Sequence, residues 1–138
     1  MKLVLDTSAI AAIFFEEEKS GTVEKIVEES EELFTADLTF AELLNIAWKR
    51  VVFFNEEKDL VFEALKKAYQ FIDSICTIFS TKNLFEKALE LAISLKITGY
   101  DAVFLALAEK ENAKLLTLDD KLANKIKNTR FHDMVIIP

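Results

Sequence analysis

The chain opens with residues 1–15, MKLVLDTSAIAAIFF, and the joint at Asp6 decides how the fold is read. Leu3, Val4 and Leu5 read as a short buried strand, and Ile10 to Phe15 as the start of an apolar helix. An aspartate between them is either a helix cap, accepting a bond from an orphan backbone N–H, or a group placed for chemistry. Thr7 and Ser8 could share the capping task.

The same strand-then-helix pattern recurs along the chain. Strand-like apolar runs fall at Lys2–Leu5, Leu33–Ala36, Ile75–Phe79, Leu115–Thr117 and Met134–Ile137. Helical patterns fill the intervals: Ile10–Glu18, Val23–Ser30, Thr39–Phe54, Glu56–Asp73, Leu84–Leu95, Ala102–Asn112 and Lys121–Lys127. No Pro/Gly/Ser linker, low-complexity tract or repeat interrupts them, so residues 1–138 are expected to form a single domain. Such alternation predicts an α/β fold with a mostly parallel sheet covered on both faces. Ligands of such sheets bind beyond the carboxyl ends of the strands, near the topological switch point.

Composition narrows the chemistry. Hydrophobic residues make up 51% and charged residues 30% of the 138, the balance of a chain with a proper core. The longest apolar runs, IAAIFF and VVFF, fall far short of the roughly 20 residues a membrane helix needs. Asp6 interrupts any signal-like segment, so a cytoplasmic location is the expectation. The one cysteine, Cys76, lies in an apolar run and reads as a small buried hydrophobe. The one histidine, His132, has no Cys or second His to match it, which removes catalytic dyads and zinc clusters by inventory. The net charge of −7 argues against a protein that coats nucleic acid but not against a nuclease, because clustered acids that hold divalent cations present positive charge to phosphate. Two glycines, one proline and many Glu and Lys point to short loops and a heat-adapted source.

Four acids stand at strand-to-helix joints. Asp6 ends the first strand. Glu42 lies early in the helix of TADLTFAELLNIAWKR, capped by Asp37 or Thr39, on a background apolar over much of its circumference. Asp101, in KITGYDAVFLALAEKENA, starts a helix after a turn marked by Gly99. Asp119 follows the strand of KLLTLDDKL, where either it or Asp120 can cap while the other faces a cleft. Each acid alone is as readily a cap or a solvated residue as a ligand. Together on one sheet edge they would repel one another, and a hard cation such as Mg²⁺ or Mn²⁺ removes that conflict.

LVLDTSAI, AELLNIAWKR, GYDAVFLALAEKENAKLLTLDDKL and the closing VIIP resemble the PIN-domain ribonucleases, most of all the VapC-type toxins of toxin–antitoxin pairs. The resemblance runs over essentially the whole chain. It implies a three-layer α/β/α sandwich with about five strands, and a Mg²⁺- or Mn²⁺-dependent endoribonuclease site at the carboxyl edge. It assigns Asp6, Asp101 and Asp119 to the metal, directly or through water, and Glu42 to the metal-bound water. Ser8 and Thr117 match supporting polar positions, Asp120 is a spare ligand ranked below Asp119, and capping of the first helix passes to Thr7 and Ser8. Water would attack the RNA phosphorus, leaving a 5′-phosphate and a 3′-hydroxyl, with no histidine required. Lys49, Arg50 and Lys82 are candidate phosphate contacts.

The 12 phenylalanines exceed what a small interior absorbs easily. A homodimer interface or a groove for a partner's helix is expected, and the resemblance adds a cognate antitoxin that places a basic side chain among the acids. A haloacid-dehalogenase-type phosphotransferase would want an Asp where Ser8 stands, and a receiver domain would want one in SICTIFSTKN, which has none. A housekeeping RNA-processing nuclease and a non-catalytic RNA-binding scaffold on the same fold remain as alternatives.

Overall fold

A computed structural model describes all 138 residues. Its five strands are β1 (Lys2–Leu5), β2 (Glu32–Ala36), β3 (Thr77–Phe79), β4 (Lys114–Leu116) and β5 (Val135–Ile136), joined in one sheet of order β3-β2-β1-β4-β5 with every pair parallel. Seven helices connect them: α1 (Thr7–Phe14), α2 (Ser20–Glu28), α3 (Leu38–Val52), α4 (Lys58–Ile75), α5 (Phe85–Leu95), α6 (Gly99–Glu111) and α7 (Asp120–Ile126). The α/β expectation holds, and the sheet is wholly rather than mostly parallel.

The pleat of the central strands builds a core on each face. Val4, Phe34, Ala36 and Leu115 point to one side and pack with α5, α6 and α7. Leu3, Leu5, Leu33 and Leu116 point to the other and pack with α1 to α4. Helix α6 is the deepest: Ala102 through Ala108 are all buried, which is why its sequence shows apolar residues on every side. Thr35, at zero exposure in β2, donates its hydroxyl to the Leu5 carbonyl at 2.9 Å, so the one buried polar side chain in that strand is satisfied. Cys76 is buried as expected, and burial pushes its thiol up to about 12.

Several expected boundaries move, α1 running over Thr7–Phe14 rather than Ile10–Glu18, and neither Asp37 nor Thr39 caps α3. Residues expected to begin the third strand at Ile75 instead finish α4, and β3 is a three-residue edge strand. Gly99 is not a turn but the first residue of α6, and Thr98 caps that helix by accepting from Asp101 N at 3.1 Å. Asp37 stands at the start of α3 without capping it; its carboxylate is taken by Thr81, through N at 2.8 Å and Oγ1 at 2.6 Å.

The order in which strands are added reverses at β1. The order runs outward to β2 and β3 on one side and to β4 and β5 on the other. The switch point therefore lies between β1 and β4, where Leu5 pairs with Leu116. A crevice opens at this point beyond the strand ends. No single helix is long and apolar enough to cross a membrane.

Candidate active site

A cleft of about 520 Å³ occupies the switch point, and Asp6, Glu42, Asp101 and Asp119 all line it. Four elements deliver them. Asp6 and Asp119 follow the ends of β1 and β4, Glu42 sits in α3, and Asp101 sits in the first turn of α6. Thr7, Ser8, Asn45, Lys49 and Tyr100 complete the polar and aromatic part of the wall.

Asp6 caps α1 itself, against the expectation that Thr7 and Ser8 would do so. Its Oδ1 accepts from Ala9 N at 3.0 Å and from Ser8 Oγ at 2.6 Å. Thr7 and Ser8 have other duties: Thr7 Oγ1 donates to Glu42 Oε1 at 2.7 Å, and Ser8 Oγ accepts from Leu118 N at 2.9 Å. Asp119 repeats the arrangement at the next joint, its Oδ1 accepting from Lys121 N at 2.9 Å and Leu122 N at 3.1 Å. In both cases the cap bonds end on one oxygen, and a carboxylate has a second. Capping and lining the cleft are compatible tasks for one side chain. Asp120 is exposed in the first turn of α7, outside the cleft wall.

The electrostatics follow from burial. Asp6 is 6% exposed, and desolvation pushes its carboxyl up from 3.8 to about 6, with the Asp101 charge adding to the effect. The Ser8 and Thr117 hydroxyls and Ala9 N–H partly offset this. Burial also raises Glu42, opposed by the Thr7 hydroxyl and assisted by Asp101. Asp101 is raised by burial and then by the charge of Asp119. Three acids thus bind protons more readily than free carboxylates do, because the cleft puts like charges together in a poorly solvated place.

The cleft offers oxygen donors only, the chemistry of a hard divalent cation. No three Asp, Glu, His or Cys side chains stand close enough to grip one ion without help. That spacing fits Mg²⁺ or Mn²⁺, which keeps several waters and takes one or two carboxylates directly. A cation there would relieve the repulsion that raises Asp6, Glu42 and Asp101. Asp6 and Asp119, each with an oxygen beyond its cap bonds, and Asp101, whose backbone rather than carboxylate is capped, could take part, one or two of them directly and the rest through the ion's waters.

The supporting and basic residues divide. Ser8 lines the cleft, and Thr117 lies fully buried behind it, its Oγ1 3.4 Å from Ser8 Oγ and 3.1 Å from Asp119 N, from which it accepts. Lys49 is on the cleft wall. Arg50, the next residue, turns away. It pairs with Glu17 at 3.1 Å and Glu56 at 3.0 Å and stacks over the Phe15 ring, so its charge is spent on holding the α3–α4 connection. Lys82 lines a separate groove with Lys87, Glu109 and Lys110. Lys49 was named from the sequence; Asn45 and Tyr100 were not, though Asn45 lies three residues from Glu42 on one helical face and Tyr100 adjoins Asp101.

Comparison with known proteins identifies the fold and the family. The PIN domain family model matches residues 3–128. Ribonuclease VapC3 of Pyrobaculum aerophilum is 39% identical over 125 residues, covering 91% of this chain and 95% of that protein. Among solved structures, a toxin–antitoxin complex from Klebsiella pneumoniae superposes with a TM-score of 0.70 at 15% identity, over 99% of this chain and 97% of the other. VapBC2 from Rickettsia felis, bound to a DNA fragment from its promoter, superposes with a TM-score of 0.66 at 19% identity, over 100% and 99%. These two show likeness of fold. The family match and the 39% relative carry the assignment: the chain belongs to the PIN domain family.

Proposed function

We propose that this chain is a Mg²⁺- or Mn²⁺-dependent endoribonuclease, the toxin component of a toxin–antitoxin pair, acting as one domain over residues 1–138. The observation that carries the reading is the meeting of Asp6, Glu42, Asp101 and Asp119 in one cleft at the sheet's switch point. Its identity with a protein named as a ribonuclease supports the substrate class, and the toxin–antitoxin complexes among its fold neighbours support the biological setting.

A bound divalent cation would supply Lewis acidity toward the phosphodiester and an acidified water. The chain's own residues do the rest. Asp6, Asp101 and Asp119, delivered by three separate elements, would hold that cation directly or through its waters. Glu42, with raised proton affinity and a hydroxyl holding its Oε1, accepts a proton from the attacking water. Lys49 offers a cation at the wall of an otherwise acidic cleft, where a phosphate must be drawn in. The Tyr100 ring, 63% exposed beside Asp101, offers a face for an unpaired base.

The protein partners in this reading are an antitoxin and a second copy. An apolar groove of about 270 Å³ between α3 and α4, lined by Leu44, Trp48, Val52, Val61, Phe62 and Leu65, suits an inserted helix of the antitoxin. A separate stripe on α5 carries exposed Phe85, Leu89 and Ile93 at four-residue spacing and suits contact with a copy of itself.

The test is cleavage of structured and single-stranded RNAs with Mg²⁺ or Mn²⁺, comparing wild type with Asp6→Asn and Asp101→Asn, and with chelator. Wild-type cleavage leaving 5′-phosphates, lost in both variants and in chelator, is expected. Inactivity of the wild type on every RNA, or variants as active as it, would refute the reading.

A further inference from the structure

Glu42 is the cleft acid fastened only by a side-chain hydroxyl. Asp6 and Asp119 are held by backbone amides, whereas the single hydrogen bond to Glu42 comes from Thr7 Oγ1 at 2.7 Å. Thr7 Oγ1 has one further partner, Thr39 Oγ1 at 3.0 Å. A hydroxyl carries one hydrogen and an ionised carboxylate none. The Thr7 hydrogen therefore goes to Glu42, and the contact between the threonines is donated by Thr39. The direction is forced: Thr39 to Thr7 to Glu42.

The two threonines are buried, Thr7 at 6% and Thr39 at zero exposure, and neither hydroxyl has a partner outside this chain of three groups. Valine would fill the same space without a polar group to satisfy. Thr39 and Glu42 stand three residues apart on α3, while Thr7 is the first residue of α1, so the bond also locks two helices at the cleft edge.

We propose that Thr39 and Thr7 form a directional hydroxyl relay that positions the Glu42 carboxylate in the cleft. Thr39 spends its hydrogen on Thr7, which leaves the Thr7 hydrogen committed to Oε1. Without the relay, Glu42 turns freely about its side-chain bonds and spends less time facing the reacting water. Both threonines are positioning residues; neither touches substrate. The consequence for rate rests on the nuclease reading, while the coupling between residues does not.

The experiment compares Thr7→Val, Thr7→Ser, Thr39→Val, Glu42→Ala and the double variant Thr7→Val/Glu42→Ala. Metal-free thermal unfolding is followed for each, then Mn²⁺ binding by the loss of free-ion EPR signal, then RNA cleavage. Expected are non-additive unfolding midpoints for the Thr7–Glu42 pair, and Mn²⁺ affinity or cleavage about tenfold or more weaker in Thr7→Val, the usual cost of losing an orienting partner. Thr7→Ser restores the wild-type values, Thr39→Val gives a smaller loss, and Thr7→Val adds nothing to the cleavage or binding defect of Glu42→Ala. Additive midpoints, an unrescued serine variant, or an equal loss in the Glu42→Ala background each overturn the relay. Coupled midpoints and Mn²⁺ binding in a protein that cleaves no RNA would support the relay while refuting the ribonuclease reading.

Discussion

Asp6 carries a conflict that only its surroundings reveal. Its Oδ1 serves as the cap of α1, which favours an ionised carboxylate, yet burial and the charge of Asp101 favour the protonated form and win. The folded chain therefore binds this proton at about pH 6 and the unfolded chain at 3.8. Because the folded state holds the proton more tightly, the stability that Asp6 contributes is complete below pH 3.8 and declines as pH rises through the window up to about 6. At about 1.4 kcal/mol per pKa unit, the loss by neutral pH is about 3 kcal/mol. Asparagine keeps the oxygen that caps and loses the charge, since Asn and Asp are comparable N-caps. Asp6→Asn is accordingly expected to stabilise the metal-free protein at pH 7 by up to about 3 kcal/mol and to flatten its stability between pH 4 and 6, while removing cleavage. Denaturant unfolding across pH in chelator checks this; a variant less stable than wild type at pH 7 contradicts it.

At the scale of the element, α3 explains why its sequence looks apolar almost all round. Thr39, Leu43 and Ala47 face the core, Glu42, Asn45 and Lys49 face the cleft, and Leu44, Trp48 and Val52 face outward. Three stripes at helical spacing serve three neighbours. Helix α6 joins core to site differently: its body is buried and its first turn carries Asp101, whose amide is tied to Thr98 Oγ1. Thr98→Ala is expected to cost about 1 kcal/mol of stability and to weaken cleavage by loosening the turn that carries Asp101, with Thr98→Ser restoring both. Denaturation midpoints and initial rates measured together check the link; a stability loss with unchanged cleavage would break it. These elements also mark how far the sequence could be read. Periodicity located β1, β2, β4 and the long helices, because packing on both sheet faces imposes apolar spacing that can be counted. It misplaced Ile75 because the end of α4 and the exposed edge strand β3 have the same apolar character. Asp6 and Asp119 were legible at strand ends, whereas Glu42 lies within α3 and Asp101 follows helix α5 rather than a strand, and the motif resemblance grouped the four. The threonines behind Glu42 were not legible, since a buried Thr on an apolar stripe looks like core until its partner, 32 residues away for Thr7 and Thr39, is known. The same applies to Arg50, whose charge is visible in sequence but whose partner Glu17 lies 33 residues back.

For the whole molecule, two clusters of exposed apolar side chains stand apart from the cleft. The α3–α4 groove is concave and framed by the exposed Trp48 and Phe62, with Phe53 packed edge-on against the Trp48 ring at 5.1 Å. The α5 stripe is carried by a single helix with Phe85, Leu89 and Ile93 each more than half exposed. A concave groove accepts a helix from a different chain, whereas a stripe repeated at i, i+4 and i+8 can pack against its own copy across a twofold axis. The two surfaces should then fail independently. Leu89→Glu/Ile93→Glu is expected to reduce the particle mass in light scattering from that of a dimer to the 15.7 kDa of one chain. Leu44→Glu/Trp48→Glu should leave that mass unchanged and instead abolish inhibition by a co-expressed antitoxin. Neither pair should shift the unfolding midpoint of the isolated chain much, because exposed substitutions away from buried networks usually change stability by less than about 0.5 kcal/mol. The charge favours this division as well. With a net charge of −7, two copies repel at long range, so self-association needs a stripe with enough apolar contact to overcome it, and added salt should tighten the dimer by screening. A dimer that survives both α5 substitutions and dissociates with the α3 pair would place the self-contact in the groove instead, and one that weakens with salt would rest on ion pairs rather than on either apolar surface.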